Sequence, residues 1–360
     1  MKKNEEYDVE IIDNGFEGEG IAKINEMTVF IPEALKGEKV KIKILKVNKN
    51  FAFGKIIDIY EKSSHRIVDD CETYSKCGGC NFRHIDYKYS LEIKKQSVEN
   101  TLKKALKRDI EVKEVIGMDE PYCYRNKLQY PVGVSETGKL IMGVFAKRSH
   151  RIIPINFCKI QNEKCQKVAK DCFDFLEKYD IKGYNEETKK GLVRHIIVRI
   201  GIKTNEIMLT LVLNDWDLQN ESELVEFIVK NNPEVKTIVK NLNNKNTNVI
   251  LGDKTEVIYG DGYIYDYIGN KKFKISSMSF YQVNPVQTEK LYTKAVEFAE
   301  LTGKETVFDL YCGIGTIGIF ASDKVKELYG IETIPQAIED AKENARINNI
   351  KNADFFVRRC

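Results

Sequence analysis

The chain has 360 residues, 42% hydrophobic and 31% charged, an ordinary globular composition with enough length for two or three domains. No apolar run approaches the roughly 18–20 residues of a membrane span, and Met1-Lys2-Lys3-Asn4-Glu5-Glu6 lacks the apolar core of a signal peptide, so the expectation is a cytoplasmic protein with no membrane partner. Net charge is only +3, but residues 41–57 hold five lysines and no acid, and residues 62–108 hold 11 basic against 6 acidic side chains. A basic front can meet a polyanion; the plain alternative is a solvated lysine face.

In chain order, Ile21–Ile24, an Asn25-Glu26 turn and Met27–Ile31 predict a hairpin. Val40, Ile42 and Ile44 alternate with lysines, the period of a half-buried strand. Phe51–Ile59 is a further β-rich run, and Gly15, Gly18, Gly20 and Gly37 punctuate the turns. Four or five short strands in 60 residues predict a small closed barrel of the OB kind. Tyr87, Leu91, Val98, Leu102 and Ala105 fall at helical spacing and predict an amphipathic helix whose stripe is core. Strands follow at 192–200, 207–213, 235–239 and 249–251, with a helix at 221–230. From about residue 273 the pattern alternates: helix 287–301, a buried strand Thr306–Leu310, a glycine turn opening a helix, strand 327–331, helix 334–348 and strand 353–357.

Nine cysteines are many for a chain whose thiols stay reduced. Cys71, Cys77 and Cys80 lie within ten residues, with two glycines freeing the backbone between the last pair. Cys158 can return as a fourth ligand. Four thiolates suit zinc or an iron–sulfur cluster. The long gap to Cys158 leans towards iron–sulfur, since structural zinc sites usually close with a second tight pair. Cys123, Cys165 and Cys172 read as core thiols.

Gly313-x-Gly315-x-x-Gly318, between a strand and a helix, fits a nucleotide-binding turn. It leaves open NAD, flavin or S-adenosylmethionine. Asp309 inside the preceding strand and Glu332 ending the next one, where a carboxylate can take both ribose hydroxyls, favour S-adenosylmethionine.

At this point the chain resembles the RNA 5-methyluridine methyltransferases, which act on transfer RNA and 23S ribosomal RNA. The resemblance rests on Glu17–Ala22 with Val29–Pro32, Cys71 to Cys80 with Cys158, Tyr124-Arg125-Asn126-Lys127, Ser279–Pro285, and Asp309-Leu310-Tyr311-Cys312-Gly313. It implies a multidomain α/β protein: an RNA-binding, OB-like TRAM β-barrel (1–60), a central α+β iron–sulfur domain (61–270) and a partial Rossmann-like methyltransferase domain (271–360). It implies a 4Fe–4S cluster on Cys71, Cys77, Cys80 and Cys158. It further implies S-adenosylmethionine held by Gln282, Tyr311 and Glu332, with Asp309, Gly313 and Gly315 shaping the turn.

In the family a cysteine thiolate adds to uracil C6, C5 then attacks the methyl group, and a carboxylate base removes the C5 proton. The segments carrying that cysteine and base are not in this sequence, and neither Cys312 nor Cys360 replaces the nucleophile. The expectation is therefore a monomeric 23S rRNA (uracil-5-)-methyltransferase, truncated and inactive as given, with RNA as its partner. A transfer-RNA enzyme, a non-catalytic RNA-binding iron–sulfur protein and a dinucleotide-using iron–sulfur oxidoreductase are the alternatives.

Overall fold

The computed structural model describes residues 1–359. It divides into two compact units, residues 1–119 with 146–149, and residues 120–145 with 150 onward.

The first unit opens with β1 (Glu6–Glu10), β2 (Asp13–Asn14), β3 (Gly20–Ile24), β4 (Met27–Ile31), β5 (Lys39–Val47) and β6 (Phe51–Glu61). They form one sheet in the order β1-β5-β6-β4-β3-β2, curled so that β1 also approaches β3. The expected hairpin is β3–β4. Asn25 and Glu26 both take positive φ, +47° and +63°, the two-residue turn whose twist matches that of its strands. Alternation places Ala22, Ile24, Val29, Ile31, Val40, Ile42, Ile44 and Ala52 in one core. Glu38 is fully buried and accepts from Arg66 Nη2 at 2.7 Å and from the Leu35 amide at 2.9 Å.

Helix α1 (Tyr87–Leu106) is where it was expected, capped by Asp86, but its apolar stripe is not core. Only Ser90 and Ile93 are buried. Its first turns pack Ile93 and Tyr89 against Leu35 and Ile85, while Val98 and Leu106 stay about half exposed, at 48% and 50%. The helix runs past the small cluster that anchors it, and regular spacing cannot report where the partner surface stops.

The second unit begins with β7 (Lys127–Val134), β8 (Leu140–Phe145), β9 (Ile152–Pro154), α2 (Glu163–Lys178), β10 (Val193–Ile200), β11 (Ile207–Leu213), α3 (Glu221–Asn231), β12 (Val235–Leu242) and β13 (Lys254–Tyr259). The sheet order is β13-β12-β11-β10-β7-β8-β9. Every residue of β10 and β11 is buried. Helices α2 and α3 supply Val168, Leu176, Leu224 and Ile228 to the core on one face. On the other face Met208 and Val239 join a second core with Ile264 and Phe273. The strand expected at 249–251 does not form. The carbonyls of Val249 and Ile250 are taken instead by the Asn243 side-chain amide, at 2.7 and 2.8 Å. Cys165 and Cys172 are core thiols as expected, with burial pushing both up, whereas Cys123 is half-buried at φ +49°.

The hairpin β14 (Tyr263–Ile268) and β15 (Lys271–Ser276) leads to α4 (Pro285–Phe298), β16 (Thr306–Leu310), α5 (Thr316–Ala321), β17 (Glu327–Glu332), α6 (Pro335–Ile347) and β18 (Ala353–Val357). The last three strands are parallel in the order β16-β17-β18, so β17 and β18 both lie to one side of β16, which is an edge strand. Thr306–Leu310 is not a buried strand. Only one face of the small sheet is covered, with Leu328 and Phe355 packed beneath Ile319 and Ile338 of α5 and α6. The other face shows Phe308 and Leu310 at 62% and 51% exposure, with Phe308 stacked on Tyr329. Among the described residues no helix is long and apolar enough to cross a membrane.

Candidate nucleotide site and nucleic-acid interface

The glycine turn sits where β16 hands over to α5. Three consecutive odd residues leave the ordinary backbone region: Tyr311 at φ +66°, Gly313 at +55° and Gly315 at +79°. A non-glycine residue held at positive φ is uncommon and clusters at ligand-handling turns; Tyr311 is also 72% exposed. Gly315 caps α5, and a Cβ there would stand 3.0 Å from Ile319 and 3.1 Å from the Phe355 ring. Its left-handed conformation and tight packing both require glycine.

Two carboxylates brace this turn. Asp309 Oδ2 accepts from the Gly318 amide at 3.1 Å; burial pushes its carboxyl up, partly offset by that bond. Glu332 ends β17. Its Oε2 accepts from the Gly313 amide at 3.3 Å, and its Oε1 accepts from the Thr333 and Ile334 amides at 2.6 and 3.1 Å. Burial raises this carboxyl, but the hydrogen bonds from Thr333, Ile334 and Gly313 outweigh it and hold the group below the usual carboxylate range. Glu332 is thus an ionised acceptor fixed beside the glycine turn.

Gln282 lies in the 276–284 loop before α4, and its side chain reaches the Tyr292 hydroxyl, which also meets Thr316 Oγ1 at 2.8 Å. That loop is clamped by residues the sequence reading did not assign. Asn126 Nδ2 donates to the Gln282 carbonyl at 3.0 Å, and the Asn126 amide donates to the Val283 carbonyl at 3.0 Å. Arg199, which is buried, donates to the Ser279 carbonyl at 2.9 Å. Ser279 Oγ donates to the buried Asp340 at 2.9 Å. Asn344 ties the Ile314 carbonyl to the Lys274 amide, at 3.1 and 2.7 Å. Asn126 and Ser279 fall in the Tyr124–Lys127 and Ser279–Pro285 segments that carry the resemblance; for Arg199, Asp340 and Asn344 the signal was a polar residue inside an otherwise apolar strand or helical pattern. Beside them, Lys127 stands opposite Arg199 in the β7–β10 ladder, and burial, with Arg199 and Arg125, pushes it down to about 8.

Cys71, Cys77 and Cys80 lie in the first unit and Cys158 in the second. Among the described residues no group of three or more His, Cys, Asp or Glu side chains is disposed to hold a metal ion. In the 71–80 loop the sulfurs meet local partners instead: Cys71 Sγ lies 3.6 Å from Thr73 Oγ1, and Cys77 Sγ accepts from the Gly79 amide at 3.2 Å. Cys158 is fixed through its backbone amide, which donates to Gln166 at 2.6 Å. Cys360 lies outside the described residues.

On the first unit, Phe30, Phe51 and Phe53 form a ring cluster on the outer side of β4 and β6, with centroids 5.5–6.0 Å apart. Lys43 and Lys55 stand directly opposite each other on β5 and β6, and Lys46 stands opposite Phe53. Like charges in register repel. Among the described residues Lys41 pairs with Glu6 at 3.0 Å, but Lys43, Lys46, Lys49 and Lys55 pair with no acid. Aromatic faces beside uncompensated cations are what a nucleic-acid strand needs for stacking and phosphate contact.

Residues 2–57 match the TRAM domain. An RNA methyltransferase of Clostridium tetani is 47% identical over 357 residues, covering 99% of this chain and 77% of the relative. One from Clostridium acetobutylicum is 48% identical over 360 residues, covering 99% and 78%. The chain belongs to the RNA methyltransferases. Among solved structures, this RNA methyltransferase is similar to the tRNA (uracil-54, C5)-methyltransferase of Pyrococcus abyssi, determined with S-adenosyl-L-homocysteine. The TM-score is 0.75 at 22% identity, covering 98% of this chain and 79% of that one. That likeness extends through both units and is a likeness of fold.

Proposed function

We propose that this RNA methyltransferase binds S-adenosylmethionine at the β16–α5 turn for methylation at C5 of a uridine in 23S ribosomal RNA, with transfer RNA as the alternative substrate, and that these 360 residues alone do not turn over because they lack the cysteine and base that the resemblance implies. The observation that carries the cofactor reading is the ionised Glu332 locked beside the Gly313 amide. In this reading Glu332 takes the ribose hydroxyls, Tyr311 lies beside the adenosyl group and Gln282 meets the methionine end. Gly313 and Gly315 let the backbone approach, and Asp309 holds the turn through Gly318. Asn126, Arg199 and Asp340 act as positioning residues, since they hold the loop that presents Gln282. The cofactor supplies an electrophilic methyl group; the protein binds and orients it.

The similarity to a uracil-C5 enzyme in fold supports the base and position. Tritiated S-adenosylmethionine should bind saturably and be displaced by S-adenosyl-L-homocysteine but not by NAD. RNA competition then separates substrates: a 23S fragment should compete better than a transfer RNA of equal length. Displacement by NAD would overturn the cofactor reading, and a preference for transfer RNA would replace the substrate.

RNA should meet the phenylalanine and lysine face of β4–β6. Phe53→Ala is expected to weaken single-stranded RNA binding by about fivefold to tenfold, the scale of one lost stacking contact. Affinity should fall steeply between low and physiological salt, because lysine–phosphate contacts release counterions. A salt-independent filter-binding curve would exclude this face.

The proposal includes a 4Fe–4S cluster on Cys71, Cys77, Cys80 and Cys158, supported by the spacing of the first three and by the family resemblance; no step of the transfer runs through it. Protein prepared without oxygen should contain iron and acid-labile sulfide in equal amounts, and Cys77→Ser should lose both. Zinc without iron would exclude the cluster.

A further inference from the structure

We propose that the cavity floored by His195 on β10 is a receptor for one unstacked RNA base, separate from the nucleotide turn. The cavity is about 130 Å³ and is walled by Phe145, His150, Glu186, Arg194 and residues 246–250. It is well below the roughly 300–1,000 Å³ that whole ligands occupy, so it suits a single planar ring. This inference rests on the RNA reading of the protein and adds a second contact to it.

His195 is 7% exposed, and neither Nδ1 nor Nε2 has a hydrogen-bond partner. Buried polar atoms are normally paired. Burial, with Arg194 alongside, pushes this imidazole down to about 4, so at neutral pH it is uncharged. A neutral imidazole offers one donor and one acceptor, either of which can meet a polar group on a base edge. A shift in the strand register between Val193 and His195 marks a bulge at this point of β10, and bulges re-aim side chains.

The cation beside His195 is already largely engaged. Arg194 Nη1 is committed to the Asn243 and Lys245 carbonyls at 2.7 and 2.9 Å, Nη2 lies 3.7 Å from Glu186, and the guanidinium sits 4.4 Å from the Tyr184 ring centroid. Its buried Nε has no partner and adds one more fixed donor. Phe145 lies edge-on to both His195 and His150, at 6.2 and 5.5 Å. The outer wall is held in shape by Asn243, which takes the Val249 and Ile250 carbonyls. A polar, aromatic-sided pocket without a free charge matches a neutral heterocycle, and RNA is read largely through unstacked bases placed against such groups.

The cavity shares β10 with a residue that clamps the Gln282 loop. Arg199, which holds the Ser279 loop, is four residues along β10 from His195, about 13 Å at the strand rise per residue.

The test is fluorescence anisotropy of the full chain with a short single-stranded RNA and with the same backbone made abasic. His195→Phe should fill the cavity and weaken binding of the base-bearing strand by about tenfold, with abasic binding unchanged and S-adenosylmethionine binding intact. Asn248→Trp, which blocks the mouth from an exposed position, should do the same and serves if His195→Phe does not fold. Equal losses on both RNAs, or no loss with Asn248→Trp, would overturn the base receptor. Saturable binding of a free nucleoside monophosphate that leaves RNA binding untouched would make it a nucleotide site and overturn the RNA assignment. A wild-type chain that binds neither strand would remove the RNA reading as well, and so is distinguishable from failure of the cavity alone.

Discussion

Glu332→Ala is expected to weaken S-adenosylmethionine binding by about 10- to 100-fold. A hydrogen bond to a charged group contributes about 1.5–3 kcal/mol, and each 1.4 kcal/mol is tenfold in affinity. Two losses combine. The ribose would lose its ionised acceptor, and the Gly313, Thr333 and Ile334 amides would lose the group that now gathers them. Glu332→Gln keeps an oxygen for one set of donors, but its amide nitrogen cannot accept from Gly313, so about a tenfold loss is expected. Equilibrium dialysis with tritiated cofactor reads both values. Affinity within twofold of the parent for Glu332→Ala would move the ribose contact elsewhere.

Glu38→Ala is expected to destabilise the first unit by about 3–5 kcal/mol, the usual result of removing one partner from a buried ion pair. Arg66 would remain, 15% exposed at its side chain, facing an emptied site. A domain has only about 5–15 kcal/mol in total, so the unit would be close to unfolding near 37 °C. Chemical denaturation followed by tyrosine fluorescence measures the loss. Replacing both partners, Glu38→Leu with Arg66→Met, should recover most of it, because no uncompensated charge is left. The pH dependence has a definite sign. Burial raises the Glu38 carboxyl, but the Arg66 and Leu35 hydrogen bonds outweigh it, so its folded value lies below 4.5. A depressed carboxylate stabilises the fold above its unfolded value and loses that contribution as pH falls through the folded one. The parent should therefore weaken on acidification below about pH 4.5, and the double variant should weaken less. A Glu38→Ala variant as stable as the parent would show that the pair contributes nothing.

The elements read most directly from the residues were those decided within a few positions. Asn25-Glu26 between two alternating runs could only be a tight turn, and the β3–β4 hairpin is there. Thr306–Leu310 and Ala353–Val357 match the observed strands residue for residue, because a short apolar run bounded by turn residues leaves little choice. The α1 stripe failed for the opposite reason. Tyr87, Leu91, Val98, Leu102 and Ala105 share a helix face, but Leu35 and Ile85 cover only its beginning. Residues 249–251 carry β-branched and apolar side chains, yet Asn243 takes the Val249 and Ile250 carbonyls before a ladder can.

The sequence by itself determined the positions of the glycine turn, Asp309 and Glu332, since strand, turn and helix follow one another there without a break and their roles depend on local spacing. It also marked the basic first unit and the cysteine loop. Tertiary structure alone decided which polar groups are buried and what they hold. Asn126 and Gln282 are 156 residues apart, and Ser279 meets Asp340 across 61; no periodicity links such pairs. The same holds for His195, whose strand reads as ordinary β pattern. Its two unpaired nitrogens arise because β7 and β11 enclose it from both sides, and burial is a property of neighbours brought together by the fold, which spacing along one strand does not encode.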